Sequence, residues 1–303
     1  MKVLITGASG LLGRRVFKRL KGLPNFDAVG SCFSRIEDKD LIKLDITDRQ
    51  CLEQWFLENK PAAVVHCAAE RRPNIVDNNP SLAYSLNVKA TQDLCDLAER
   101  FHCWLLYIST DYVFDGKNAP YSESDSANPL NTYGKHKLAG EEIVLSAAGG
   151  QNAVLRVPIL YGPIEYLGES AVTILYDKVR EVSTSCSMDD RQRRYPTHTD
   201  AVAEVIHDML IKHQEQLLTG VYHLTDTQML TKYDMALAMA DVMQHPTAHI
   251  KASKLEPSSS DTPRPYDCHL HTDRLRQVSI PIPSRDFRTE IKRILTENLM
   301  PGA

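Results

Sequence analysis

Through the first half of the chain, short runs rich in β-branched residues alternate with helix-length segments in which polar and apolar positions interleave. That is the pattern of right-handed βαβ crossovers building a parallel sheet. Six strands are predicted, at 2–6, 28–33, 41–45, 62–69, 104–110 and 153–160, with helices near 11–22, 48–59, 79–101 and 131–147. The fold class expected is α/β, a doubly wound parallel sheet over residues 1–162. After Gly162-Pro163 the alternation lapses into a smaller, mixed lobe over 163–303, with a helix at 199–213, a strand at 221–224 and a helix at 231–243. Part of 196–226 is expected to return to the first domain. The stretch 257–263, rich in Ser and Pro, reads as a surface loop. In the last predicted helix, 286–299, Phe287, Ile291, Ile294 and Leu295 share one face and should dock.

Composition narrows the function. At 303 residues and 43% apolar, the chain can bury about three quarters of its unfolded surface and needs neither disulfide staples nor a structural metal. The 35 basic and 39 acidic side chains leave a net charge of −4, which gathers neither nucleic acid nor anionic lipid. The longest largely apolar runs, 62–65 and 154–160, fall far short of the roughly 20 residues of a membrane span. Met1-Lys2 runs directly into Val-Leu-Ile-Thr-Gly, so no export leader is expected. Seven cysteines without a Cys-x-x-Cys pair fit the reduced thiols of a cytoplasmic protein.

Thr6-Gly7-Ala8-Ser9-Gly10-Leu11-Leu12-Gly13 joins the first strand to the first helix. Glycines at 7, 10 and 13 let a pyrophosphate approach backbone N–H groups at a helix N-terminus and let helix and strand pack closely. With further βα units behind it, this turn marks a Rossmann dinucleotide site. An Asp or Glu ending the second strand would hold a ribose 2′-hydroxyl and repel a 2′-phosphate, but the residues there are Ser31-Cys32-Phe33-Ser34-Arg35. Ser34 and Arg35 could bind a phosphate, so NADP (NADPH) is expected over NAD, the alternative being that Arg35 is a solvated loop residue. Asp45 with Ile46 after the third strand, Cys67, Ala68 and Ala69 after the fourth, and Pro158 complete the expected cofactor contacts, beside Gly7, Ser9, Gly10, Leu11, Leu12 and Gly13.

Tyr133-Gly134-Lys135-His136-Lys137 opens a helix, so Tyr133 and Lys137 share one face. A ketone reduction needs a proton donor for the developing alkoxide, and a tyrosine can serve where a neighbouring ammonium lowers its pKa. With 12 tyrosines and 16 lysines, about 0.6 such pairs arise by chance, so the spacing alone says little. Its place after Ser109-Thr110, at the carboxyl edge of the fifth strand, gives it weight.

With Thr-Gly-Ala-Ser-Gly-Leu-Leu-Gly, Ser109-Thr110-Asp111-Tyr112-Val113-Phe114-Asp115-Gly116 and Pro129-Leu130-Asn131-Thr132-Tyr133-Gly134-Lys135, the chain resembles the extended short-chain dehydrogenase/reductases, within them the dTDP-4-dehydrorhamnose reductase group. The resemblance implies Thr110 as the hydroxyl that binds a substrate carbonyl, Tyr133 as proton donor, and Lys137 as the residue that holds the nicotinamide ribose and acidifies Tyr133. It implies an NADPH-dependent reductase of a nucleotide-linked 4-keto-6-deoxy sugar. A narrower resemblance is carried by His66-Cys67-Ala68-Ala69-Glu70-Arg71-Arg72-Pro73-Asn74, Arg156-Val157-Pro158-Ile159-Leu160-Tyr161-Gly162, Glu169-Ser170-Ala171-Val172-Thr173 and Arg194-Tyr195-Pro196-Thr197-His198. These stretches are similar to the regulatory β-subunit family of methionine adenosyltransferase, which shares the reductase fold, keeps the Tyr and Lys, and binds NADP. That resemblance implies a methionine adenosyltransferase catalytic subunit as partner, modulation of S-adenosylmethionine synthesis, and a catalytic triad that need not turn over. The sugar reductases usually carry Tyr-Thr-Ala-Val-Asp where this chain has Glu70-Arg71-Arg72-Pro73, a changed substrate-facing loop. The β subunits continue in a C-terminal tail where this sequence reads Met300-Pro301-Gly302-Ala303, which leaves the docking mode open. A homodimer is a further family expectation.

Other signals are weaker. The paired imidazoles of Cys268-His269-Leu270-His271 lack further ligands nearby, so no metal is expected. Arg191, Arg193 and Arg194 could meet a substrate diphosphate or form a solvated loop, and Glu70, Arg71 and Arg72 could be ligand contacts or a surface ion-pair patch. Tyr161, Tyr166 and Tyr176 read as packing.

Overall fold

The computed structural model describes residues 1–33, 39–256, 258 and 262–299. The chain runs β1 (Lys2–Thr6), α1 (Leu11–Leu20), β2 (Asp27–Cys32), β3 (Leu41–Lys43), α2 (Arg49–Asn59) and β4 (Ala63–His66), then α3 (Pro73–Asn78), α4 (Pro80–Tyr84), a π-helical turn over Ser85–Lys89 and α5 (Ala90–Arg100). There follow β5 (Trp104–Thr110), α6 (Thr132–Ser146), β6 (Ala153–Val157), β7 (Leu160–Tyr161), α7 (Tyr176–Arg180), β8 (Cys186–Asp189), β9 (Thr197–His198) and α8 (Thr199–Glu215). The last elements are β10 (Gly220–His223), α9 (Lys232–Val242), β11 (Ile250–Ser253), α10 (Asp273–Gln277) and α11 (Phe287–Leu299).

Seven strands form one parallel sheet in the order β10-β6-β5-β4-β1-β2-β3. The strand order reverses between β1 and β4, which opens the crevice where ligands of such sheets bind. Alternation along each strand feeds two separate cores. Val3 and Ile5, Ala63 and Val65, Leu106 and Ile108, and Leu155 and Val157 face α1 and α8. Leu4, Val64, Leu105, Tyr107 and Val154 face α2, α5 and α6. Each fully buried Val, Leu or Ile among them stabilises the fold by about 1.5–3 kcal/mol relative to exposure.

The smaller lobe carries two short parallel pairs, β7 with β9 and β8 with β11. Its core joins Tyr161, Val172, Val179, Met235 and Met239 to Phe287, Ile291, Ile294 and Leu295 of α11, the face expected to dock. Among the described residues no helix is long and apolar enough to cross a membrane.

Two elements depart from the sequence pattern, and proline accounts for one of them. The helix expected over 79–101 runs from Pro80 to Arg100 with the π-helical turn between α4 and α5, and Pro80 at its first position separates it from α3, because it disfavours helical backbone at Asn79, which sits at φ −133°, ψ 60°. The strand expected over 153–160 stops at Val157, since Pro158 cannot continue the ladder, and resumes at Leu160 to pair with β9. The fourth strand likewise ends at His66, not Ala69, and residues 67–72 turn away as a loop over the sheet edge.

Candidate functional site

The glycine turn is shaped by contacts that no side chain could replace. Gly7 adopts φ +67°, a conformation that favours glycine, and a Cβ there would sit 2.9 Å from the Ala68 backbone. A Cβ on Gly13 would collide with the Gly7 carbonyl, so α1 can pack against the turn only with glycine at that position. The turn is locked by Gly10 N–H donating to Gly7 O at 2.9 Å and Ala8 N–H to Ser31 O at 2.8 Å. Helix α1 has no side-chain cap at Gly10 and no acidic residue in its first turn, which leaves its N-terminal N–H groups and positive dipole end available to an anion.

Behind the turn a buried polar row fixes the loop after β4. Thr6 Oγ1 lies 2.7 Å from His66 Nδ1 and accepts from Ala68 N–H at 3.3 Å, while His66 Nε2 lies 3.1 Å from Thr91 Oγ1. Burial, with Lys137 adding to it, pushes His66 down to about 3, so the ring is a neutral relay of hydrogen bonds. Asn87, in the π-helical turn, grips Glu70 at both ends: its Oδ1 accepts from Glu70 N–H at 2.8 Å and its Nδ2 donates to Glu70 O at 3.0 Å.

Helix α6 brings the polar chemistry to the same place. Asn131 caps it, accepting from Gly134 N–H at 2.9 Å. Gly140 lets the helix lie close on Tyr107 of β5, where a Cβ would strike the phenol oxygen. Lys137, 3% exposed, is thereby set with Nζ 3.9 Å above the Tyr107 ring. Burial pushes Lys137 down to about 7, opposed first by the Glu141 carboxylate. Tyr133 stands edge-on to Tyr112, ring centroids 6.3 Å apart. Its surroundings hold the phenol well above its ordinary value, and the hydrogen bond with Thr110 is the largest opposing influence. Burial dominates in place of the expected lowering by Lys137, and the cation that opposes it is Arg71. Asp111 is pushed up to about 7 by burial, opposed by Arg194.

These groups line one cavity of about 670 Å³, within the usual range for small-molecule sites. Gly7, Gly10, Leu11, Leu12, Gly13, Cys67, Ala69, Thr110, Tyr133, Lys137 and Pro158 are on its walls. Ala68 lies just behind them against Gly7, and Ser9 sits in the turn with its carbonyl accepting from Arg14 Nη1 at 3.2 Å. Asp45 and Ile46 are not on these walls. Asp45 Oδ1 accepts from Thr47 N–H and Oγ1 at 2.9 and 2.6 Å, and Ile46 is buried under α2. Ser34 and Arg35 lie outside the described residues.

Several residues on and around these walls were not marked by the sequence. Arg14, on α1, reaches across to the smaller lobe: Nη2 donates to Glu169 Oε2 at 2.7 Å and to Pro163 O at 3.3 Å, and Nη1 lies 2.9 Å from Glu165 Oε1. Arg71 donates to the Glu169 carbonyl from the other side. A strap over 163–171 is thus clasped across the glycine turn. Glu70, Arg71 and Arg72, left between ligand contacts and an ion-pair patch, all line the cavity, and Arg72 also pairs with Glu70 at 2.8 Å. Of the arginine cluster, Arg191 and Arg193 pair with Glu256 and Asp267, while buried Arg194 faces the cavity with Lys232 and Arg264. Lys232 and Arg264 carried no spacing signal, because the fold gathers them from distant segments. Tyr166 also lines the cavity, against its reading as packing, and Tyr161 and Tyr176 are core. Cys268-His269-Leu270-His271 is irregular apart from a bridge of Leu270 to Tyr121, with His269 stacked on Tyr195 at 4.2 Å.

Residues 1–300 match the family model described as the RmlD substrate binding domain. The methionine adenosyltransferase 2 subunit beta of Danio rerio is 41% identical over 292 residues, 96% of this chain and 89% of that protein. The dTDP-4-dehydrorhamnose reductase of Aggregatibacter actinomycetemcomitans is 32% identical over 248 residues, 79% of this chain and 78% of the reductase. Among solved structures, dTDP-4-dehydrorhamnose reductase from Bacillus anthracis in complex with NADP superposes with a TM-score of 0.82 at 25% identity, covering 98% of this chain and 99% of that one.

Proposed function

Because this chain belongs to the RmlD substrate binding domain family, we propose that it is an NADP-binding regulatory subunit of methionine adenosyltransferase that modulates S-adenosylmethionine synthesis from a reductase scaffold. The observation that carries this reading is the likeness to the β subunits, which runs the length of the chain and exceeds the likeness to the sugar reductase. The chain divides, on this reading, into a cofactor domain over 1–162 that includes part of 196–226, and a smaller lobe for ligand or partner.

The site's donors suit a dinucleotide. The uncapped N-terminus of α1 and the cradle at Gly7 and Gly13, which a Cβ would fill, fit a pyrophosphate. The Leu11, Leu12 and Gly13 backbone would hold it, and Lys137 would bind the nicotinamide ribose. The end of β2 through Phe33 carries no carboxylate to repel a 2′-phosphate, which supports NADP over NAD. Bound there, the cofactor supplies hydride-transfer chemistry. This chain's part is to exclude water with the 163–171 strap and to present a hydroxyl and a phenol beside the nicotinamide.

The gathering of Thr110, Tyr133 and Lys137 on one cavity favours a second reading, an NADPH-dependent reductase of a nucleotide-linked 4-keto-6-deoxy sugar. Thr110 Oγ1 would donate to the substrate carbonyl and Tyr133 Oη would deliver the proton to the developing alkoxide. Size-exclusion co-elution with the methionine adenosyltransferase catalytic subunit from the same source, with NADP present, separates the two. A stable complex supports the regulatory reading, and two separate peaks at micromolar concentration favour the reductase.

A further inference from the structure

A buried charge network lies beside this site, beneath α6. The parallel registers of β5, β6 and β10 bring Ser109, Arg156 and His223 into one row across the sheet, beneath α6. Glu141 descends onto that row. Its carboxylate accepts from Ser109 Oγ and is forked by Arg156, with Nε 2.9 Å from Oε1 and Nη2 2.6 Å from Oε2. Arg156 Nη1 donates to His223 Nε2 at 3.2 Å, and His223 Nδ1 donates onward to His271 O at 3.1 Å. The Glu141 and Arg156 side chains are only 2% and 6% exposed.

Such a brace could serve simply to staple α6 to the sheet. Its placement says more. Tyr133, Lys137 and Glu141 follow at i, i+4 and i+8, so the carboxylate lies one helical turn behind the buried ammonium, on the same face of α6. The other titratable groups facing Lys137 are Tyr133 on α6, Tyr107 on β5, and His66 and Cys67 at the end of β4. Burial holds His66 neutral, Cys67 as a thiol up at about 12, and both phenols protonated. Glu141 is therefore the negative charge that can favour the charged form of Lys137, in a place where desolvation opposes it.

We propose that Glu141 is a positioning residue for the cofactor site: held rigid by Arg156 and Ser109, it keeps Lys137 as the ammonium that binds the cofactor ribose. This deepens the cofactor reading and rests on it for the ribose contact alone. The bidentate fork matters because a carboxylate fixed by two donors cannot swing toward solvent or toward Lys137 itself, so it acts through space and leaves Nζ free for the ligand.

The test is a ¹³C-NMR titration of the Lys137 ε-methylene in the cofactor-free full chain, the resonance identified by its loss in Lys137→Met, alongside the pH dependence of NADPH binding. Glu141→Gln should lower the Lys137 midpoint by about one pH unit or more and move the alkaline loss of NADPH affinity by the same amount. Ser109→Ala, which loosens the brace but keeps the carboxylate, should leave the midpoint in place. If Glu141→Gln does not fold, the pair Glu141→Gln with Arg156→Met removes both buried charges and should shift the midpoint in the same direction. An unmoved midpoint, with stability lowered alike in Glu141→Gln and Ser109→Ala, would mean a staple only and overturn the proposal. A wild type that binds no NADPH would contradict the cofactor reading, while the NMR midpoint would still decide what Glu141 does to Lys137.

Discussion

Replacing Lys137 by Met should make the cofactor-free protein more stable. Lys137 is buried and pushed from 10.5 down to about 7, so the folded state holds its proton less tightly than the unfolded chain does. For a cation with a lowered folded pKa, the penalty on folding is full below the folded pKa and fades as pH rises toward the unfolded one. At pH 7 that penalty is about 4 kcal/mol, and it should fall by about 2 kcal/mol between pH 7 and 8.5. Methionine has similar length and flexibility and carries no charge to desolvate, but it forfeits the contact of the ammonium with the Tyr107 ring, about 1–2 kcal/mol. The net expectation is a gain of about 2–3 kcal/mol for Lys137→Met at pH 7. The assay is urea unfolding of cofactor-free protein at pH 7.0, 7.75 and 8.5. His66, pushed down to about 3, changes stability only below about pH 6.5, and the buried thiols Cys67, Cys95 and Cys103, pushed up to about 12, act only near and above pH 9. Asp111, pushed up to about 7, costs slightly more stability as pH rises through this window in both proteins, so the wild type should gain stability with pH relative to Lys137→Met. A variant less stable than wild type at pH 7, or one with the same pH slope, would refute the claim that a stability cost is borne at Lys137 for a ligand.

Gly13→Ala drives a Cβ into the Gly7 carbonyl and should cost about 1–3 kcal/mol in urea unfolding, with NADPH affinity by calorimetry reduced at least about tenfold. Glu169→Gln weakens the clasp with Arg14, whose side chain is 11% exposed, and should speed NADPH release in stopped-flow fluorescence several-fold. An unchanged release rate would show that the strap does not gate the cofactor. Tyr133→Phe should abolish any keto-sugar-dependent NADPH oxidation, by at least about 100-fold, yet leave co-elution with a methionine adenosyltransferase catalytic subunit intact. Full oxidation activity in that variant would dispose of Tyr133 as the acid.

The sheet was legible because its strands obey one local rule. Val3 and Ile5 face one core while Leu4 faces the other, and the same alternation recurs in β4, β5 and β6. The glycine turn and the Tyr133–Lys137 pair were legible because the chemistry is packed into consecutive residues or one helical turn. Element ends were less so: Pro158 was visible in the sequence, but the π-helical turn over Ser85–Lys89 lay hidden inside a helical pattern that runs from Pro80 to Arg100. What the sequence could not expose is assembled from distant segments. Arg14 meets Glu169 across 155 residues, and Arg194, Lys232 and Arg264 converge from three separate segments. The Glu141–Arg156 fork was likewise hidden, since Arg156 reads as an interruption in a β strand until Ser109 and His223 are set beside it.

The most direct test of the central claim is the rate of S-adenosylmethionine synthesis by the methionine adenosyltransferase catalytic subunit as this chain is titrated in, with and without NADPH, using wild type and Tyr133→Phe. A regulatory subunit predicts a saturable change in rate near one chain per binding site, preserved in Tyr133→Phe. A flat titration at concentrations well above micromolar would contradict it, and with keto-sugar-dependent NADPH oxidation in the same preparation would assign the chain to the reductases.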